Sequence, residues 1–136
     1  MSSETQRERI MQYVQDKLSA EPEYLWARYP NSAVFRHPIT GKWFGLVMDV
    51  ARSHLGLQGE EIVDVLTIKC DAILQGALLS EPGFRPAYHM SKTSWISVLL
   101  DGTVPDEKIL PLLEMSYDSV APKAHQANKR STKKNA

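Results

Sequence analysis

Apolar residues at Ile10, Tyr13, Val14 and Leu18 recur every three or four positions through an otherwise polar N-terminal stretch. That spacing predicts an amphipathic helix over 4–18. Ser3 is placed to cap it, Glu4 sits in the first turn where the helix dipole favours an acid, and Glu21-Pro22 ends it. The pattern then changes. Residues 33–37 (AVFRH) and 42–50 (KWFGLVMDV) are apolar runs on either side of Pro38-Ile39-Thr40-Gly41, which predicts a β-hairpin. Residues 62–69 (IVDVLTIK), rich in Val and Ile, give a third strand. Between them, 51–61 (ARSHLGLQGEE) holds two glycines and mixed charge and reads as a mobile loop.

Asp71 is a natural N-cap for a second helix over 72–79, which Glu81-Pro82-Gly83 closes. Residues 84–89 (FRPAYH) form a short strand, placed at a sheet edge by the proline inside it. Residues 93–100 (TSWISVLL) form another. Asp101-Gly102 turns the chain, and Thr103 to Asp106 resembles a capping box with Pro105 in the first turn. A last helix over 105–120 carries Ile109, Leu112, Leu113, Ser116 and Tyr117 on one face. The order helix, three strands, helix, two strands, helix makes an α+β fold, an antiparallel β-sheet with helices packed on one face. The opposite face is left partly open, and a ligand or partner would bind there.

At 136 residues, the chain suits one domain. Its formal charge of zero hides an asymmetry. Segment 123–136 carries five basic residues and no acid, while 1–122 carries 11 basic and 16 acidic residues. The first 122 residues are therefore expected to fold as an acidic domain. The segment 123–136, without a large apolar residue, is expected to be a disordered basic tail. It reads either as a solubilising terminus or as an arm for an acidic partner. One cysteine, Cys70, rules out an internal disulfide and a cysteine zinc cluster, and suits a reducing compartment. No apolar run approaches the roughly 20 residues of a membrane helix, and the polar N-terminus is not a signal peptide. A cytoplasmic monomer with no membrane association is expected.

Three segments carry a resemblance to the MmcQ/YjbR family. They are Gly41-Lys42-Trp43-Phe44 in the hairpin, Leu66-Thr67-Ile68-Lys69-Cys70-Asp71, and Tyr88 through Val98 followed by Leu100-Asp101-Gly102, Pro105-Asp106 and Ser116-Tyr117. The third is the most specific, with His89, Lys92 and Trp95 three residues apart. The resemblance spans about 6–120 and implies a YjbR/CyaY-like fold, similar to frataxin-like proteins. It also implies DNA binding through a double wing of β-hairpins. The 51–61 loop, the basic tail and Ala72, where the family often has proline, depart from its pattern.

On that reading Arg36, His37 and Lys42 form a basic hairpin tip. Lys69 ends a central strand, Arg85, His89 and Lys92 meet phosphate, and Trp95 offers a stacking face. The plainer alternative makes Trp95 a core aromatic, His89 a turn residue and the lysines solvated or paired. No phosphate loop, nucleophile elbow, dinucleotide fingerprint or zinc-protease motif is present, so no enzyme is expected. A Cys70–His89 nucleophile and base pair has no support from spacing. His37, His54, His89 and His125 lack metal-ligand spacing, and Glu4, Glu8, Glu60, Glu61 and Asp64 read as solvated acids. No cofactor is expected. The two functional readings are a small DNA-binding module and a module for a protein or an anionic small molecule on the open sheet face.

Overall fold

A computed structural model describes residues 4–122. The elements follow in the expected order: α1 (Gln6–Lys17), β1 (Ala33–Arg36), β2 (Trp43–Ala51), β3 (Ile62–Lys69), α2 (Ala72–Leu78), β4 (Phe84–Pro86), β5 (Trp95–Leu99) and α3 (Asp106–Ser119). The cap of α1 is Thr5, two residues beyond the expected one; Ser3 lies outside the described residues. Thr5 Oγ1 accepts from the Glu8 N–H, and the Glu8 carboxylate accepts from the Thr5 N–H, a reciprocal capping box. Asp71 caps α2 by accepting from the Leu74 N–H.

The strands form one sheet in the order β1-β2-β3-β5-β4, and every neighbouring pair is antiparallel. β4 is an edge strand that stops at Pro86, whose missing N–H cannot extend the ladder. A bridge between Glu23 and Val34 covers part of the other edge. The pairing of β1 with β2 slips between Phe35 and Arg36, so that Phe35 opposes Gly45 and Arg36 opposes Trp43. Phe44 is the extra residue of this bulge. The bulge lets Phe44 point to the helix side while Trp43 and Leu46 face the other way.

All three helices cover one face. Ile10, Val14, Leu78, Ile109 and Leu113 pack there on Phe35, Phe44, Leu66, Ile68, Ile96 and Val98. Ser116 locks α3 to the sheet. Its Oγ donates to the Phe44 carbonyl at 2.5 Å and accepts the Lys69 N–H at 2.9 Å, just past Gly45 and Ile68, the last pair of the β2–β3 ladder.

Two expectations are corrected. The capping box at Thr103 is absent: Pro105 is the N-cap, with no side-chain bond. Asp101 instead accepts from the Thr103 N–H, and Arg9 and Gln6 occupy Asp106. The 51–61 segment is built rather than open. Ala51 ends β2, 52–55 form a 3-10 turn with Leu55 buried, and Arg52 Nε donates to the Gln58 carbonyl. The second sheet face is partly open, as expected, and the rest of it is covered. Val34, Leu46, Met48, Val65, Trp95 and Leu99 form a second apolar cluster there, capped by Leu55 and Ala87. Both faces of the central strands are therefore buried, and what remains of the opening is a cleft.

Candidate functional site

Antiparallel pairing brings the end of β1, the start of β2, the end of β3 and the start of β5 to the same end of the sheet. The register then sets Arg36 opposite Trp43 and Lys69 opposite Trp95. On the second face this makes a row that alternates cation and aromatic. The Arg36 guanidinium lies 5.7 Å from the Trp43 ring centre, and Lys69 Nζ lies 5.6 Å from that of Trp95. Both distances are within cation–π range. Arg36 Nε also pairs with Glu23 at 3.0 Å, which fixes the guanidinium over the ring. Lys42, beside Trp43, and Lys92, three residues before Trp95, are exposed at this end. Lys92 Nζ donates to the Ala87 carbonyl at 3.0 Å, which holds its ammonium at the sheet end.

From this row a cleft of about 630 Å³ runs along β2. Its floor is Leu46, Met48 and Val50. Trp26 and Tyr29, from the stretch before β1, line it together with Trp43, and Tyr88, His89 and Met90 line it from the β4–β5 connection. Trp26 meets Trp43 edge to face at 6.1 Å, and Tyr88 meets His89 edge to face at 3.9 Å. His54, from the 3-10 turn, stacks with Tyr88 at 6.2 Å. His89 has φ 63°, in the left-handed region where histidine is tolerated better than most residues.

The expected site residues thus divide. Arg36, Lys42, Lys69 and Lys92 share one end of the sheet, and His89 stands exposed on the cleft. His37 is 3% exposed: Nδ1 accepts from the Ile39 N–H at 3.1 Å and the ring packs on Tyr117 at 4.4 Å. Its ring shapes the hairpin turn from inside. Arg85 turns inward, and its Nε donates to the Leu55 carbonyl at 2.7 Å. Trp95, 7% exposed, belongs to the second core cluster. Of the aromatics that line the cleft, Trp26 and Tyr29 carry no signal in the sequence, while Trp43 and Tyr88 stand in segments that carry the family resemblance but are not among the expected site residues. The usable signal for Trp43 was its pairing across a short hairpin with Arg36.

Cys70 packs in the helix-side core, where burial, and then the neighbouring Asp71, raise its thiol above the usual range. His89 stands on the opposite face, so the two are not arranged as nucleophile and base. Among the described residues no group of three His, Cys, Asp or Glu side chains is placed to hold a metal ion. No helix among them is long and apolar enough to cross a membrane.

Residues 16–119 match the family model YjbR. This chain belongs to the YjbR family. The uncharacterized protein YyaQ of Bacillus subtilis is 40% identical over 111 residues, which cover 82% of this chain and 94% of YyaQ. A Pseudomonas syringae protein solved by crystallography is 38% identical with a TM-score of 0.82, over 85% of this chain and 98% of that one. Deinococcus radiodurans protein DR2400 shares the fold at a TM-score of 0.66 and 22% identity, over 88% of this chain and 81% of that one. The two solved proteins thus share this α+β fold, and the cleft lies within the segment that matches the family model.

Proposed function

We propose that this YjbR protein is a non-enzymatic, cytoplasmic DNA-binding module that engages its ligand with the second sheet face. The observation that carries the reading is the row Arg36, Trp43, Lys69, Trp95, flanked by Lys42 and Lys92. Cations at one sheet end meet phosphates, and an aromatic beside them meets bases. The acids of α1 and α3, among them Glu8, Asp16, Glu107 and Glu114, are on the helix layer; in the row Glu23 pairs with Arg36, so its net positive charge comes from Lys42, Lys69 and Lys92. Segment 123–136 adds basic charge to the same chain.

The test is a titration of labelled DNA at two salt concentrations. Binding at about 50 mM salt should weaken steeply as salt rises. Lys42→Ala and Lys92→Ala should each weaken binding several-fold and reduce the slope of log K against log salt by about 0.7–0.9. The same titration on the chain cut after Pro122 separates the folded body from segment 123–136. Absence of binding by the cut chain at about 50 mM salt, where phosphate contacts are strong, overturns the sheet-face reading.

A second reading rests on the cleft itself. A volume of about 630 Å³ with aromatic walls suits a free aromatic anion, whose ring would enter while its charge met Arg36 or Lys42.

A further inference from the structure

Trp43 belongs to two features at once. It lies under the Arg36 guanidinium in the cationic row, and it lines the mouth of the cleft. A ligand that places anionic charge on Arg36 and Lys42 therefore has its adjoining group directed at the aromatic cleft. We infer that the cleft is a base pocket, and that the nucleic acid bound here is single-stranded, with one unpaired base inserted beside Trp43. The inference rests on the nucleic-acid reading above and names the form of the ligand.

Three observations select an unpaired base over a duplex. The floor, Leu46, Met48 and Val50, is apolar and offers no donors or acceptors to read base edges in a groove. The walls are Trp26, Trp43, Tyr88 and His89, which present ring surfaces. Rings bind base faces, and base faces are open only when the base is unstacked. The volume also lies in the range of small-molecule clefts, enough to take one base. Charge is divided to match: Arg36 stands over Trp43 outside a lining that holds no lysine or arginine and is mostly aromatic and apolar, the order in which a nucleotide presents phosphate and base.

Chemically altered ligands test this on the intact protein, so no variant needs to fold. A short thymidine oligomer is suitable, since its methyl group suits an apolar floor. Its affinity is compared with that of an abasic oligomer of equal length and charge, which cancels the contribution of segment 123–136. The oligomer should bind about tenfold or more tightly than its abasic counterpart and quench tryptophan fluorescence. A duplex of the same length should bind more weakly than the single strand. Equal affinity for oligomer and abasic strand overturns the base pocket while leaving the phosphate reading intact, as does tighter binding of the duplex. If thymidine monophosphate binds as tightly as the oligomer, the site is one for a free anion and the inference fails. If neither strand nor duplex binds at about 50 mM salt, the nucleic-acid reading itself falls.

Discussion

Trp43 and Trp95 face the same side of the sheet and differ in what surrounds them. Trp95 is 7% exposed inside the second apolar cluster, whereas Trp43 is half-buried at the cleft. Trp95→Ala is expected to cost about 3–5 kcal/mol, because a large buried ring leaves a cavity that neighbours fill only in part. Trp43→Ala should cost clearly less and leave a folded protein. Urea unfolding of both variants measures the difference, and equal midpoints would remove Trp95 from the core. From the sequence, either tryptophan fits a strand with a basic neighbour. What separates them is the membership of Trp95 in the second apolar cluster, built from several strands and the 3-10 turn, which no local pattern announces.

Helices α1 and α3 are joined by Asp106. Its carboxylate accepts from Arg9 Nε at 2.7 Å and from Gln6 Nε2 at 2.9 Å, and the Arg9 hydrogen bond is the main cause that holds it below the usual carboxylate range. A lowered folded-state pKa stabilises the fold above the unfolded value, near 3.8, and the contribution is lost as pH falls through the lower folded one. Asp106→Asn should therefore melt a few degrees below wild type at pH 7, and the gap should close on acidification below about pH 4. A gap of constant size across that range would show that the carboxylate's charge is not what joins the helices. The helices and strands themselves were legible, since their apolar periods and the Asp71 cap are local. The Asp106 junction was not: the same residue fits a capping box, and only the approach of α1 turns it to Arg9. Strand β3 itself carries the sign of a second covered face. Val63 and Val65 face one side, Leu66 and Ile68 the other, and a strand apolar on both sides is covered on both.

The whole molecule is a sheet between two unlike layers, and its spectroscopic probes divide along that plane. All three tryptophans, Trp26, Trp43 and Trp95, belong to the second face, while the three α-helices among the described residues lie on the first. Tryptophan emission therefore reports one layer and helical circular dichroism the other. Because both layers close on the same central strands, the two signals should change together in a single thermal transition. A separation of several degrees between them would mean that the layers unfold independently. The junction made by Ser116 also has a bearing on inheritance. Its partners are main-chain groups of Phe44 and Lys69, present whatever side chains those positions carry. Genetic drift at 44 or 69 keeps the junction's chemistry, whereas position 116 must supply, from one small group, both a donor and an acceptor. Among descendants of this gene, position 116 should therefore be held by the junction itself, whereas positions 44 and 69 are held by what their side chains do, Phe44 in the helix-side core and Lys69 beside Trp95 in the row.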